Sequence, residues 1–373
     1  MSNSSIFFPS ERTLMGPGPS DVHPRVLSAL SRPTIGHLDP QFIDLMERIK
    51  ELLRSIFRTN NRLTLPLSAP GSAAMEAAFA NLIEPGDKVI ICINGVFGGR
   101  MAENVVRMGG ELITIDHEWG EAVCGDRLEA ALKENPDTKL VGFVQAETST
   151  GVKSDVEALC GIARAYDCLT IVDSVTALAG IELETDDWGA DVVYSGSQKC
   201  LSCPPGISLI TFGEKAEHKI QSRNTPVQSW FLDMSLLMAY WDGDGARTYH
   251  HTAPVNAMYG LHESLLMVEE EGLENSWLRH REMHKLLAKG LEELGFSFVV
   301  EKESERLPQL NTVRFKEGVD EKAVRNRLLE EYNLEIGAGL GPFAGNVWRI
   351  GLMGYSARKE NVELCLSALR SCL

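Results

Sequence analysis

The chain has 373 residues, of which 44% are hydrophobic and 24% are charged, and 36 Lys and Arg against 52 Asp and Glu give a formal net charge of −16. This length exceeds what one hydrophobic core usually holds, so two domains are expected. The acidic balance argues against nucleic acid or an anionic membrane as a partner, so any anionic ligand must be bound by a local set of donors.

The terminal sequences predict no export or organelle address. Residues 1–9 lack a basic region and a long apolar run, and the last four residues, Arg-Ser-Cys-Leu, differ from a peroxisomal Ser-Lys-Leu signal. No stretch approaches the roughly 20 apolar residues of a transmembrane helix. The eight scattered cysteines are typical of reduced thiols. We therefore expect a cytoplasmic protein.

The first part of the chain predicts an irregular N-terminal arm over residues 1–35. It contains Gly-Pro-Gly-Pro at 16–19, a rigid turn that a helix does not tolerate. Asp39 and Pro40 then predict a helix start, and apolar residues at helical spacing continue to Phe57. His37 fits either an ordinary hydrogen-bonded histidine or a ligand contact.

From residue 63 onward, short apolar strands alternate with helices. The predicted strands are 63–67, 88–93, 111–115, 139–144, 168–172, 190–194 and 207–212, and the predicted helices between them include 126–134 and 155–166. This alternation predicts an α/β fold with a mainly parallel, doubly wound sheet. Helical stretches at 232–240 and 256–271 follow the last strand.

Three segments within this region are candidates for ligand contacts. The small-residue loop with Gly71, Ser72 and Ala73 opens a helix, so its free N–H groups suit an anion, although close packing would favour the same residues. Phe97 is flanked by glycines and fits either a core anchor or a ring that stacks on a planar ligand. Thr148 follows a predicted strand and is either a turn cap or a ligand contact.

Lys199 lies in a loop of small polar residues directly after a buried strand, with no acidic partner nearby in sequence. A lysine in such a site loses its proton more easily than a solvated one and can form a Schiff base with a carbonyl. Asp173 ends another buried strand, where side chains face the ligand crevice of an open sheet. Pyridoxal 5′-phosphate requires both a lysine and an anion against its ring nitrogen, so the two residues fit this one cofactor.

The C-terminal part predicts a long helix over 273–294 and then a smaller α+β layer. Its predicted strands are 296–301, 312–315 and 347–350, and its predicted helices are 320–332 and 359–369. Arg349 lies within an apolar strand, where a charge is costly unless it meets an anion. Its guanidinium fits a substrate carboxylate through two parallel hydrogen bonds, and a structural ion pair is the alternative.

Two pairs of metal-ligating residue types stand outside these patterns. Cys200 and Cys203 form a Cys-x-x-Cys pair, but no second pair or nearby histidine completes a zinc site. His250 and His251 are adjacent, so their side chains point apart and lack a third ligand in register. We expect no metal site.

Several motifs occur together and in order: Gly-Pro-Gly-Pro at 16–19, Val-Asp-Ser-Val at 172–175, and Ser-Gly-Ser-Gln-Lys at 195–199 followed by Pro-Pro-Gly. With these motifs the chain resembles the class V, fold-type I aminotransferases that use pyridoxal phosphate, most closely the alanine–glyoxylate (serine–pyruvate) family. The resemblance implies an arm over 1–35, a large cofactor-binding domain over 36–272 and a small domain over 273–373. It also implies a homodimer with shared active sites.

The resemblance assigns roles to individual residues. Lys199 carries the Schiff base and moves the proton, Asp173 holds the ring nitrogen, and amino transfer runs by a ping-pong route from alanine or serine to glyoxylate or pyruvate. The implied cofactor contacts are Gly71, Ser72, Ala73, Phe97, Thr148, Asp173, Val175, Gln198 and Lys199, with Tyr249 and Thr252 reaching the partner subunit. The implied substrate contacts are Gly36, His37 and Arg349.

Three alternatives remain open. Similar enzymes accept ureidoglycine, 3-hydroxykynurenine, pyridoxamine or aminoethylphosphonate as amino donors. A lyase or desulfurase of the same fold would need a mobile catalytic cysteine and usually a histidine over the ring, and Phe97 at the stacking position argues against it. A dinucleotide-binding protein is disfavoured because no Gly-x-Gly-x-x-Gly follows the first strand.

Overall fold

The computed structural model describes residues 6–242 and 247–373. The helices are α1 Pro24–Leu30, α2 Pro40–Phe57, α3 Gly71–Leu82, α4 Val96–Arg107, α5 Gly125–Glu134, α6 Val156–Ala165, α7 Thr185–Trp188, α8 Glu214–Gln221, α9 Met234–Trp241, α10 Val255–Glu271, α11 Leu273–Glu293, α12 Glu321–Tyr332 and α13 Lys359–Cys372. The strands are β1 Thr13–Met15, β2 Leu63–Leu67, β3 Lys88–Ile93, β4 Glu111–Asp116, β5 Leu140–Val144, β6 Ala146–Glu147, β7 Val152–Lys153, β8 Leu169–Asp173, β9 Val192–Gly196, β10 Ser208–Phe212, β11 Ser297–Phe298, β12 Leu310–Arg314, β13 Leu334–Ala338 and β14 Val347–Gly351.

The larger sheet has seven strands in the order β2-β10-β9-β8-β5-β3-β4. Strand β10 is antiparallel to both of its neighbours, and the remaining pairings are parallel. The prediction of a mainly parallel sheet with helices is therefore confirmed. Strand β8 lies at the centre, and its last residue, Asp173, is in register with Val144 on one side and Tyr194 on the other.

Apolar packing on both faces explains why the central strands read as continuous hydrophobic runs. All residues of β2, β5, β9 and β10 are buried. Helix α3 packs against β9 and β10, and its buried face includes Ala74, Ala77 and Ala78. These small side chains let the helix approach the sheet closely, which brings the start of α3 to the carboxyl edge of the parallel strands.

A second sheet of five strands, in the order β1-β13-β14-β12-β11, has its own hydrophobic cluster. Strand β1 pairs in parallel with β13, where Thr13 is opposite Leu334. The side chain of Met15 is buried in this cluster together with Trp348 and Leu369. The N-terminal segment is therefore an integral part of the sheet formed by the C-terminal residues.

Some local predictions were wrong. The expectation that residues 1–35 are irregular fails at β1 and at α1, whose start uses Pro24 as the first helical residue; residues 1–5 of the predicted arm lie outside the described residues. The predicted strand 296–301 is reduced to Ser297–Phe298, although the Val299 amide still donates a hydrogen bond to the Thr312 carbonyl of β12 at 2.9 Å. Strand β13 was missed. Within the described ranges, no helix is both long enough and apolar enough to cross a membrane.

Candidate active site

A cavity of about 200 Å³ lies at the carboxyl edge of the seven-stranded sheet. Its walls come from the ends of β8 and β9, the starts of α3 and α4, and the β6–β7 hairpin. The lining residues are Pro70, Gly71, Ser72, Met75, Phe97, Arg100, Ala146, Thr148, Asp173, Val175, Thr176, Tyr194, Gln198 and Lys199. The structure therefore brings most of the predicted cofactor contacts into one cavity.

Lys199 follows β9 and is largely buried, with 9% of its surface exposed. Its Nζ donates a hydrogen bond to the carbonyl of Pro17, and Gly18 packs directly on the lysine side chain with φ +104°. Burial lowers the pKa of Lys199 to about 8, and the Arg349 guanidinium acts in the same direction. A larger fraction of the amine is therefore unprotonated near neutral pH than for a solvated lysine.

Asp173 is a buried carboxylate with two fixed hydrogen-bond donors. Its Oδ1 accepts from the Val175 amide at 2.9 Å, and its Oδ2 accepts from the Tyr194 hydroxyl at 2.9 Å. Burial raises the pKa of Asp173 to about 7, and the two hydrogen bonds oppose this shift. A cationic group placed opposite Asp173 would favour its ionised form, as expected for a carboxylate that pairs with a protonated ring nitrogen.

The start of α3 offers unpaired main-chain donors to the cavity. The helix has Pro70 at its N-cap and no side-chain cap. Gly71 and Ser72 line the cavity, whereas the predicted contact Ala73 lies outside its lining and donates its amide to the Pro70 carbonyl at 2.8 Å. Free N–H groups and the positive end of the helix dipole suit an anion such as a phosphate.

The sides of the cavity are apolar, with one unsatisfied polar atom. Phe97 and Val175 both line it, and the Arg100 guanidinium carbon lies 4.9 Å from the Phe97 ring centroid. Gln198 Oε1 is buried without a hydrogen-bond partner in the described part of the chain. An unpaired buried acceptor is costly, so this atom indicates a ligand that supplies a donor.

Arg349, on β14, is 7% exposed. Its Nε donates to the Ala338 carbonyl at 2.7 Å and its Nη1 donates to the Thr148 carbonyl at 3.2 Å. Burial lowers the pKa of Arg349 to about 10, and the nearby charge of Glu147 opposes the shift. Its hydrogen-bond partners among the described residues are carbonyls and not carboxylates, so the guanidinium retains capacity for an anion.

The predicted contacts Gly36, His37, Tyr249 and Thr252 lie outside the cavity lining of their own chain, as does Arg349, which contacts the lining residue Thr148. His37 Nδ1 is 3.1 Å from the Tyr240 hydroxyl, and the His37 ring is 5.3 Å from the Tyr249 ring. Tyr249 is 60% exposed, and its hydroxyl lies 3.4 Å from Thr252 Oγ1. Contact of Gly36, His37, Tyr249 and Thr252 with a second subunit's cavity stays a prediction.

The sequence analysis assigned no role to Tyr194, which lines the cavity, or to Glu147, which lies between the lining residues Ala146 and Thr148. Tyr194 was placed only within a buried strand, although pairing of β8 with β9 puts it beside Asp173. In the segment that contains Glu147, only Thr148 was singled out as a possible contact. Its side chain is fully buried and accepts hydrogen bonds from the amides of Phe97 and Ser149, both at 3.0 Å. An acidic residue within a small-residue turn was the available signal.

The pairs Cys200/Cys203 and His250/His251 belong to no group of residues that could hold a metal ion in the described part of the chain. Among residues 6–242 and 247–373, no group of three or more His, Cys, Asp and Glu is arranged to hold a metal ion. Cys200 and Cys203 are buried free thiols, and burial raises the pKa of each to about 12. The prediction that the side chains of His250 and His251 point apart was wrong, because their Nδ1 atoms lie 2.8 Å from each other.

The fold and the lysine site define the class of this protein. A mainly parallel sheet with a buried lysine and a carboxylate at its carboxyl edge is the arrangement of fold-type I aminotransferases, and the family model Aminotransferase class-V matches residues 21–363. The chain therefore belongs to the class-V aminotransferase family.

Within this family, the chain is similar to relatives whose names include their substrates. The chain is 42% identical to alanine–glyoxylate aminotransferase of Rattus norvegicus over 364 residues, which are 97% of this chain and 88% of the relative. Its structure is similar to that of alanine–glyoxylate aminotransferase from Nostoc sp., with a TM-score of 0.96, 45% identity and coverage of 100% of this chain and 97% of that one. The ureidoglycine–glyoxylate aminotransferase of Bacillus subtilis gives a TM-score of 0.95 at 38% identity, covering 98% and 94%.

Proposed function

We propose that this chain is a pyridoxal-phosphate aminotransferase that moves the amino group of alanine or serine to glyoxylate or pyruvate. The observation that carries the proposal is the placement of Lys199 and Asp173, both buried, in one cavity at the edge of the sheet. The names of the rat and Nostoc relatives support alanine as the donor and glyoxylate as the acceptor.

The cavity fits the proposed cofactor at each of its groups. Lys199 would hold the aldehyde, Asp173 would face the ring nitrogen, and the start of α3 would bind the phosphate. Phe97 and Val175 supply apolar surfaces for the two faces of the ring. The unpaired Gln198 Oε1 would accept a hydrogen bond from a ring substituent. When bound, the cofactor withdraws electrons from the bond to be broken at the substrate Cα.

The chain's own residues then perform three tasks. Arg349 binds the substrate carboxylate through the donors that its carbonyl partners leave unused, which fixes the orientation of the Cα hydrogen. Once the substrate amine has displaced it from the cofactor aldehyde, Lys199 Nζ, with its lowered pKa, would take the proton from the substrate Cα and deliver it to the cofactor carbon that carried the aldehyde. The Asp173 carboxylate would stabilise the positive charge of the protonated ring nitrogen, and this attraction is strong because the site excludes water.

We also propose a cytoplasmic homodimer in which each subunit contributes Tyr249 and Thr252 to its partner's phosphate site, and Gly36 and His37 to the substrate end. Their position outside the cavity of their own chain supports this arrangement, as does the exposure of the Tyr249 side chain. The proposed divisions are an arm over 1–35, a large domain over 36–272 and a small domain over 273–373, with β1 of the arm completing the second sheet.

Ureidoglycine as the amino donor is the second candidate, because the Bacillus subtilis relative has nearly the same fold over 98% of this chain. A spectrophotometric half-reaction panel with alanine, serine and ureidoglycine separates the two candidates. We expect the fastest conversion with alanine or serine, and a clear preference for ureidoglycine would replace our first choice.

The class of chemistry is tested by incubating the protein with pyridoxal phosphate and recording its absorbance before and after borohydride. We expect a yellow band that reduction removes, and neither the band nor turnover in Lys199→Ala. Lys285→Ala, at a side chain that is 65% exposed, is the matched control and should behave like the parent protein. Normal turnover in Lys199→Ala would refute the assignment.

A further inference from the structure

The side chain of Glu147 makes an unusually complete set of hydrogen bonds for a buried carboxylate. Its Oε2 accepts from the amides of Phe97 at 3.0 Å and Gly98 at 3.4 Å. Its Oε1 accepts from the amide of Ser149 at 3.0 Å and from the Ser149 hydroxyl at 2.6 Å. Glu147 is fully buried, and none of these contacts is used by the chemistry described above.

These contacts cap helix α4 from outside the helix. The helix has Gly95 at its N-cap and no side-chain cap of its own. Ser149 Oγ accepts from the Val96 amide at 3.0 Å, so Glu147 and Ser149 together satisfy the first three N–H groups of α4. A Cβ at Gly95 would collide with Glu147 and Ser149, so the glycine provides the space for this cap.

The same side chain closes a tight turn around Thr148. Because Glu147 binds the amide and hydroxyl two residues later, the backbone of Thr148 is held between two fixed points. The carbonyl of Thr148 then accepts a hydrogen bond from Arg349 Nη1 at 3.2 Å. Glu147 is thus connected to the ring-stacking candidate Phe97, to Thr148 and to the carboxylate-binding candidate Arg349.

The hydrogen bonds to Glu147 favour its ionised form and oppose the effect of burial. Three of its four partners are main-chain N–H groups, which cannot accept a proton from a carboxylic acid. Burial raises the pKa of Glu147, and the hydrogen bonds from Ser149, Phe97 and Gly98 oppose that rise. A neutral isostere such as glutamine would turn an N–H₂ group toward at least one of these donors.

We propose that Glu147 is a positioning residue of this active site: its carboxylate fixes the Phe97 ring against the cofactor and holds Thr148 where its carbonyl orients Arg349. The proposal rests on the proposed function, because the ring that Phe97 contacts is that of pyridoxal phosphate. Glu147 touches neither substrate nor cofactor in this assignment and acts through its neighbours.

The test is a double-mutant cycle on cofactor affinity with Glu147→Gln and Phe97→Leu. The dissociation constant of pyridoxal phosphate is measured by absorbance titration of the cofactor-free protein, and visible circular dichroism reports the orientation of the bound ring. Phe97→Leu should raise the constant roughly 2- to 13-fold, as for loss of an aromatic contact. Glu147→Gln should raise it by a similar factor, because a displaced Phe97 ring loses the same contact.

The cofactor affinity of the double variant distinguishes a role of Glu147 in placing the Phe97 ring from a role in the stability of the whole protein. If Glu147 acts by placing Phe97, the double variant should bind no more than about twofold more weakly than Glu147→Gln alone, and both should have altered dichroism. If the two effects multiply, or if Glu147→Gln binds like the parent protein, the proposal is overturned.

Two further variants keep the test decisive. Glu103→Gln makes the same change on the exposed side of α4 and should leave affinity and dichroism unchanged. If Glu147→Gln does not fold, Ser149→Ala removes one donor to Glu147 and the acceptor of the Val96 amide, and a weaker but measurable loss of affinity is expected. Parent-like affinity in a folded Ser149→Ala overturns the proposal. Failure of the parent protein to bind the cofactor would instead refute the proposed function.

Discussion

The burial of Lys199 predicts a stability effect that can be measured without any cofactor. Its pKa falls from 10.5 to about 8 in the folded chain, mainly because burial disfavours the charged amine. Between these pH values the unfolded chain binds more protons at this site than the folded chain, so the free energy of unfolding rises with pH. Replacing Lys199 by methionine, of similar length and without a charge, removes this dependence.

The magnitude follows from the size of the shift. A difference of 10.5 minus about 8 corresponds to about 3 kcal/mol, at 1.36 kcal/mol per pKa unit. Relative to Lys199→Met, the parent chain should therefore gain about 3 kcal/mol of unfolding free energy between pH 8 and pH 10.5. Below pH 8 the difference should be constant, and the hydrogen bond lost at the Pro17 carbonyl adds an offset that does not vary with pH.

The assay is urea unfolding of the cofactor-free proteins at closely spaced pH values, followed by circular dichroism. Lys285→Met, at a side chain that is 65% exposed, is the control and should change the unfolding free energy by less than about 0.5 kcal/mol. A difference between parent and Lys199→Met that stays flat from pH 8 to 10.5 would show that Lys199 is not desolvated, and the argument for a nucleophilic amine would fail with it.

Three other substitutions test the remaining parts of the site. Asp173→Asn should retain measurable cofactor binding but lower kcat about 10²–10³-fold, since a fixed charge is lost at the reacting system; kinetics equal to the parent's would contradict the ring-nitrogen role. Arg349→Lys should raise the KM for the amino donor about tenfold or more, because lysine lacks the two parallel N–H donors of the guanidinium. An unchanged KM in steady-state kinetics would exclude carboxylate binding at this residue. Gly18→Ala places a methyl group against Lys199 at φ +104° and should lower the unfolding free energy by about 1 kcal/mol or more. A denaturation midpoint equal to that of the parent protein would show that the turn at residues 16–19 can move to accept the methyl group.

The central sheet could be predicted because each of its strands has a recognisable pattern within its own few residues. Strands β3, β5 and β8 are short apolar runs bounded by polar turns, and buried parallel strands have this pattern. Asp173 could be placed at the cavity for the same reason, since the end of such a strand defines the ligand edge. Lys199 was recognisable from the small residues around it.

The missed features depend on contacts between distant parts of the chain. Strand β1 has only three residues, and its partner β13 includes Glu335 and Gly337, so neither segment has a strong strand pattern. The role of Tyr194 depends on register with β8, and that of Glu147 on the approach of α4. No local pattern encodes such pairings, because they are decided by which elements pack together.

The pairing of β1 with β13 has a consequence for how the protein is made. Arg12, just before β1, contacts Asn333, just before β13, and the two are 321 residues apart in sequence. At a ribosomal rate of about 5–20 residues per second, the first strand waits roughly 15–60 s for its neighbour to be synthesised. During that interval the backbone of β1 and the side chain of Met15 have no final docking site, so the second sheet can form only after β13 has been synthesised.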